Sequence, residues 1–213
     1  MARIELWNGD ICDLEVDAIV NAANLSLWMS TGVAGEIKRA GGDAIEFAAV
    51  RQAPVPLGEA IVTPAGRLAA KIVIHAVSLD RDRRTSADAI DSAVRSAMAR
   101  ARELRVASMA FPAMGTGVGG FPLDEAARAT VRAVRSELTR SPLIDHVTFA
   151  MRGATAYQAF EVALAEGGLA DSGPSAGPAG EGVASGGAAP VGGEATSGDT
   201  QADRRAVDGA MSS

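Results

Sequence analysis

Short apolar runs of four to seven residues alternate along the chain with longer stretches in which apolar positions recur every three or four residues. The short runs fall at residues 3–7, 17–20, 59–63, 71–77, 106–111 and 147–151, and each reads as a strand. The longer stretches, 33–40, 43–51, about 85–103, 123–138 and 154–166, read as helices; the third buries Ile90, Val94, Met98 and Ala101 on one face. Gly41-Gly42 closes the first helix, and Pro54 and Pro56 stop the second, for which Asp43 is the expected N-cap. Thr85 or Ser86 caps the third, with Asp88 favourable in its first turn. Strand and helix alternating in this way predict a three-layer α/β/α sandwich with a mixed, mainly parallel central sheet.

In such sheets ligands lie outside the carboxyl ends of the strands. Three signals fall at such ends: Asn21-Ala22-Ala23-Asn24, the glycine-to-helix junction at 32–35, and the loop 115–120 with four glycines in six residues. Glycine admits positive φ and lets backbone N–H groups approach an anion, and a helix start adds unpaired N–H donors. A diphosphate can therefore be held without lysine or arginine. Two other readings of the loop stand beside this one. It could be a tight surface turn, or Gly115-x-Gly117-x-x-Gly120 could belong to a dinucleotide fold with hydride chemistry. The second is weak, because the loop comes late in the folded region and the nearest acidic candidate, Glu137, lies within a helical pattern.

Composition changes this picture at the C-terminus. Residues 167–213 hold 12 of the 24 glycines, no aromatic residue and no periodicity, so the expectation is a folded domain over 1–166 and a disordered Gly/Ala/Ser-rich tail over 167–213. The tail carries −4 of the formal net charge of −6. A folded part near −2 has no broad basic face for duplex nucleic acid. The single cysteine, Cys12, has no disulfide partner within the chain and no metal-ligand companions at useful spacing. A reducing, cytoplasmic setting fits it. The start of the chain lacks a signal-peptide pattern, and charges interrupt every apolar stretch before 18 residues. Of the two histidines, His75 in its apolar strand reads as structural and His146 as a surface residue. Trp28 and Met29 sit in an irregular loop, and the charged loop 79–84 follows a strand end, within reach of a ligand but more simply solvated.

Taken together, Gly9-Asp10-Ile11, the run from Val16 to Asn24, Gly32-Val33-Ala34, Gly58-Glu59-Ala60 with Thr63, Ile74-His75-Ala76-Val77, Ala110-Phe111-Pro112-Ala113 and Gly115-Thr-Gly-Val-Gly-Gly-Phe-Pro122 resemble a macro domain. That resemblance implies ADP-ribose, or an ADP-ribosylated protein or nucleic acid, as partner. It implies no cofactor, metal or membrane, and a monomer. Asp10 would accept from the adenine amino group beside Ile11; otherwise it would simply cap the turn after Asn8-Gly9. Gly32, Val33 and Ala34, together with Gly115, Thr116, Gly117, Val118, Gly119, Gly120 and Phe121, would enclose the diphosphate and ribose. Asn24 would hydrogen-bond the distal ribose and serve as the catalytic residue by orienting it; otherwise it would simply cap a turn.

Departures from the family pattern bear on chemistry. Ala34 stands where one hydrolase branch has an aspartate. No lysine follows His75, and Gly119 stands where relatives carry an aspartate or an aromatic residue. The resemblance thus implies an ADP-ribosyl ester hydrolase with an atypical site, releasing mono-ADP-ribose from acidic side chains or related conjugates. Its alternative is a non-catalytic ADP-ribose reader.

Overall fold

The computed structural model describes residues 2–117 and 119–166; the expected ligand contact of Val118 and the expected tail lie outside the described residues. Twelve elements occur in order: β1 (Arg3–Asn8), a single 3-10 turn (Ile11–Asp13), β2 (Ala18–Asn24), α1 (Gly32–Gly41), α2 (Asp43–Val50), β3 (Ala60–Pro64), β4 (Ile72–Leu79), α3 (Ala87–Glu103), β5 (Ser108–Phe111), α4 (Leu123–Leu138), β6 (His146–Met151) and α5 (Ala154–Glu166). The sheet runs β1-β6-β5-β2-β4-β3. Only β3 against β4 is antiparallel among its pairings, so the sheet is mixed and mainly parallel, as the alternation predicts.

Both faces of the sheet are covered, which is why its strands read as apolar runs. Val20, Ile74, Met109, Phe111 and Phe149 point into a core with Ile90, Val94 and Met98 of α3, Val134 of α4 and Phe160 of α5. Phe149 lies 6.2 Å from Phe111 and 5.3 Å from Phe160 between ring centroids, both tilted. Their neighbours Ile19, Val73, Ala110 and Ala150 point the other way, toward Ile37 of α1 and Ile45 of α2.

Two strands run further than the apolar pattern implies. β2 continues through Asn24 and β4 through Leu79. Asn21 is therefore an interior strand residue, 1% exposed, and not at the carboxyl end of its strand. Its Nδ2 reaches His75 Nδ1 at 3.1 Å, and His75 Nε2 lies 2.9 Å from Thr63 Oγ1. An amide N–H donating to Nδ1 places the ring proton on Nε2, donating to Thr63. Burial alone lowers the His75 pKa to about 4, so the ring is a neutral strut between β2, β4 and β3.

The helix caps differ in detail. Ser86 caps α3 by accepting from Ala89 N–H at 3.2 Å. Thr85 turns toward the glycine loop, its Cγ2 against Gly115. At α2 the cap is Gly42, at φ 104, with no side-chain cap bond; Asp43 is the first helical residue and lies 3.6 Å from Lys38 Nζ. Glu137, the acid that a dinucleotide reading would need, is buried on α4 and paired with Arg95 at 2.9 Å.

Candidate functional site

The carboxyl ends of β1, β6, β5, β2 and β4 open into one cavity of about 330 Å³. Each strand contributes residues at or just past its end: Asp10 and Ile11 after β1, Arg152 after β6, Ala113, Gly115, Thr116, Gly117 and Gly119 after β5, Asn24 and Trp28 from β2, and Leu79 and Arg83 from β4. The start of α1 adds Gly32, Val33 and Ala34. Sheet order thus gives the cavity an axis, from Asp10 and Arg152 at one end, past the glycine loop, to Asn24, Leu79 and Arg83 at the other.

At the first end Asp10 caps the 3-10 turn, Oδ1 accepting from Cys12 N–H at 3.0 Å. Its Oδ2 lies 2.5 Å from Arg152, which also pairs with Glu36 of α1. Turn cap and cavity wall, alternatives in the sequence, are here one arrangement: Oδ1 takes the cap, Oδ2 takes Arg152, and the residue lines the cavity. Arg152 and Glu36 belong to no motif in the sequence. The signal for Arg152 is its place directly after the last strand, where the same carboxyl-end rule applies. Burial, followed by the nearby Asp10 charge, pushes the Cys12 thiol up to about 12, which keeps it protonated and non-nucleophilic at neutral pH.

In the middle, two backbone nests face each other. Thr31 makes no side-chain cap on α1, and Gly32 sits at φ 60 with open space around it, leaving the first amides of the helix toward the cavity. Across from it Gly115 adopts φ 73, and a Cβ there would come within 2.7 Å of Thr85. Gly117 has open space. Gly119 does not: a Cβ would meet the Gly115 carbonyl at 2.6 Å and Leu79 at 2.8 Å, so neither an aspartate nor an aromatic residue fits without moving the loop. Gly120 and Phe121 lie outside the lining; the N–H of Gly120 donates to Gly117 and that of Phe121 to Gly115, closing the loop from behind.

At the far end Asn24 lines the cavity while capping its own turn. Oδ1 accepts from Ser26 N–H at 3.0 Å and from Ser26 Oγ at 2.7 Å, and Nδ2 donates to the Trp28 carbonyl at 3.2 Å. One Nδ2 hydrogen remains for a ligand. The loop from Asn24 to Thr31 is anchored by Glu46, 4% exposed, which accepts from Met29 N–H at 2.7 Å and pairs with Lys38 at 2.6 Å. Ala34 presents a methyl group in place of a carboxylate. The carboxylates lining the cavity, Asp10 and Glu36, are both held by Arg152. His75 lies beneath the sheet surface, away from the lining, and His146 pairs with Glu5 at 3.0 Å. Among the described residues no group of three His, Cys, Asp or Glu is placed to hold a metal, and no helix is long and apolar enough to cross a membrane.

The family model of the macro domain matches residues 20–130, which carry β2 through the first half of α4. The O-acetyl-ADP-ribose deacetylase of Salmonella typhimurium is 41% identical over 154 residues, 70% of this chain and 86% of that protein. The chain belongs to the macro domain family. Among solved macro domains, that of Trypanosoma brucei in complex with ADP-ribose superposes with a TM-score of 0.71 at 30% identity, covering 76% of this chain and 68% of that one. A mutant macro domain of Oceanobacillus iheyensis with ADPR gives 0.71 at 26% identity, covering 76% and 92%. An uncharacterized protein of Mycobacterium tuberculosis strain H37Rv is 43% identical over 167 residues; the match takes in 78% of this macro domain chain but only 46%, about half, of that relative.

Proposed function

We propose that the cavity binds ADP-ribose and hydrolyses ADP-ribosyl esters. The observation that carries this reading is the succession along one cavity of a fixed acceptor, two facing backbone nests and an amide. These match in order a base, a diphosphate and a distal ribose. Asp10 accepts from the adenine amino group, with Ile11 packed beside it. The amides at the start of α1 and in the glycine loop, that of Val118 included, take the diphosphate. Asn24 donates its remaining N–H to the distal ribose.

Hydrolysis adds water across the ester, giving a ribose hydroxyl and a carboxylate and releasing one proton. Relatives named O-acetyl-ADP-ribose deacetylase support that class of reaction. With Ala34 in the first loop and the lining carboxylates engaged by Arg152, the described residues supply no free general base at the ester. Catalysis then rests on positioning, with Asn24 orienting the ribose and a ligand phosphate placing the water. A second reading, a reader without turnover, is favoured by the same engaged carboxylates and by the saturated Oδ1 of Asn24. Incubation with O-acetyl-ADP-ribose and with an ester-linked automodified acceptor separates the two. Released ADP-ribose that falls at least tenfold in Asn24→Ala supports hydrolysis, and saturable binding without release supports the reader.

A further inference from the structure

We infer that Trp28 and Arg83 form an acceptor subsite that takes an acidic protein segment joined to the ADP-ribosyl group. The inference rests on the proposed function, because it uses the direction in which ADP-ribose would lie. With the base at Asp10 and the distal ribose at Asn24, the group attached to that ribose emerges over the end of β4. Asn24 pairs in register with Leu79, the last residue of β4, so the loop after Leu79 borders this exit. Arg83 lies four residues beyond Leu79 and lines the cavity.

Two observations mark this end as built for contact. The first is Trp28, whose backbone is held on both sides: its carbonyl accepts from Asn24, and the next N–H donates to buried Glu46. Leu27 before it is 1% exposed, yet the Trp28 side chain stands in the cavity wall 56% exposed. With its backbone held, this half-exposed ring in the cavity wall offers an aromatic face to whatever leaves the cavity. The second is charge. In the loop 80–84, Asp80 Oδ1 accepts from the N–H groups of Asp82 and Arg84, and Asp82 pairs with Arg84. Arg83 alone of that loop's inner charges lines the cavity, and it has no ion pair or side-chain hydrogen bond among the described residues. Arg152, the other cation in the lining, is matched by two carboxylates.

The chemistry favours a carboxylate-bearing peptide. A single guanidinium fork fits one carboxylate in bidentate fashion, and an indole face covers the peptide backbone and aliphatic stems next to it. A nucleic-acid acceptor would need a continued basic track. The opposite end of the cavity is instead net acidic, and the chain outside residues 167–213 carries about −2.

The test uses the full chain and two fluorescent peptides, each carrying ADP-ribose on its central residue through a non-hydrolysable linkage. One has Asp and Glu flanks and the other Asn and Gln. Fluorescence anisotropy at low salt is expected to show the acid-flanked conjugate binding about fivefold more tightly. That ratio falls to about one in Arg83→Gln and inverts in Arg83→Glu, while Trp28→Ala weakens both conjugates more than free ADP-ribose. Equal affinities in the unmodified protein would overturn the inference. So would an equal loss for both conjugates and free ADP-ribose in Arg83→Gln, which would assign Arg83 to the nucleotide. Tighter binding of an ADP-ribosylated oligonucleotide of matched length would also overturn it. Failure of free ADP-ribose to bind at all is a different result and removes the functional reading itself.

Discussion

Single residues in this protein carry two duties where the sequence offered a choice between them. Asp10 is both a turn cap and the acceptor at the cavity edge, and Asn24 is both a turn cap and a wall residue with one free N–H. Removing Asp10 as Asp10→Ala leaves Arg152 and the Cys12 N–H short of a partner and deletes the proposed base contact. ADP-ribose affinity measured by calorimetry is expected to fall at least tenfold, about 1.4 kcal/mol or more. Gly119→Ala places a methyl group against the Gly115 carbonyl; the loop must shift, and affinity falls with it. His75 makes a separate prediction. Its pKa is lowered from 6.5 to about 4 in the folded protein, so below pH 6.5 the unfolded chain takes up a proton that the folded chain refuses. Stability attributable to His75 is therefore intact above pH 6.5 and is lost between 6.5 and 4, by about 3 kcal/mol in all. Urea titrations across that range should show the slope, and His75→Gln should flatten it.

Among elements, acids whose role is structural fix both ends of the sheet: buried Glu46 at the cavity rim and part-exposed Asp17 at the amino ends of the strands. Glu46 on α2 fixes the loop from Asn24 to Thr31 through Met29 N–H. Glu46→Ala leaves that N–H buried without an acceptor, at a cost of about 2 kcal/mol, and loosens Trp28; a lower Tm together with weaker conjugate binding is expected. Asp17 stands at the start of β2, with Lys71 at 2.6 Å and the N–H groups of Ala107 and Ser108 on Oδ2 at 2.9 and 3.0 Å. The Lys71 contact first, and then these amides, hold its carboxyl below the usual 3.8. Its contribution is present above that value and lost as pH falls through the lowered one, below the window in which His75 acts. Element order and type were legible because strand runs and helix periods differ in length and pattern. The ends of β2 and β4 were not, since Asn21 and Asn24 look like turn residues until His75 and Leu79 are seen beside them.

For the whole molecule, sheet order turns local signals into a directed cavity, and this is the step that sequence pattern could not take. The glycine loop, the α1 junction and Asn24 were all identifiable from residue type at strand ends. Arg152, Glu36 and Arg83 were not, because a charged residue in a loop or on a helix surface looks solvated until the strand order brings it to a shared rim. We expect residues 1–166 to fold and bind as the full chain does, and calorimetry on both lengths checks it. The most direct test of the central claim is titration of the full chain with ADP-ribose, repeated with Asp10→Ala and with AMP and ribose 5-phosphate as half-ligands. Saturable 1:1 binding, weakened at least tenfold by Asp10→Ala and tighter than either half-ligand, is the predicted result. Absence of saturable ADP-ribose binding by the intact protein would contradict it.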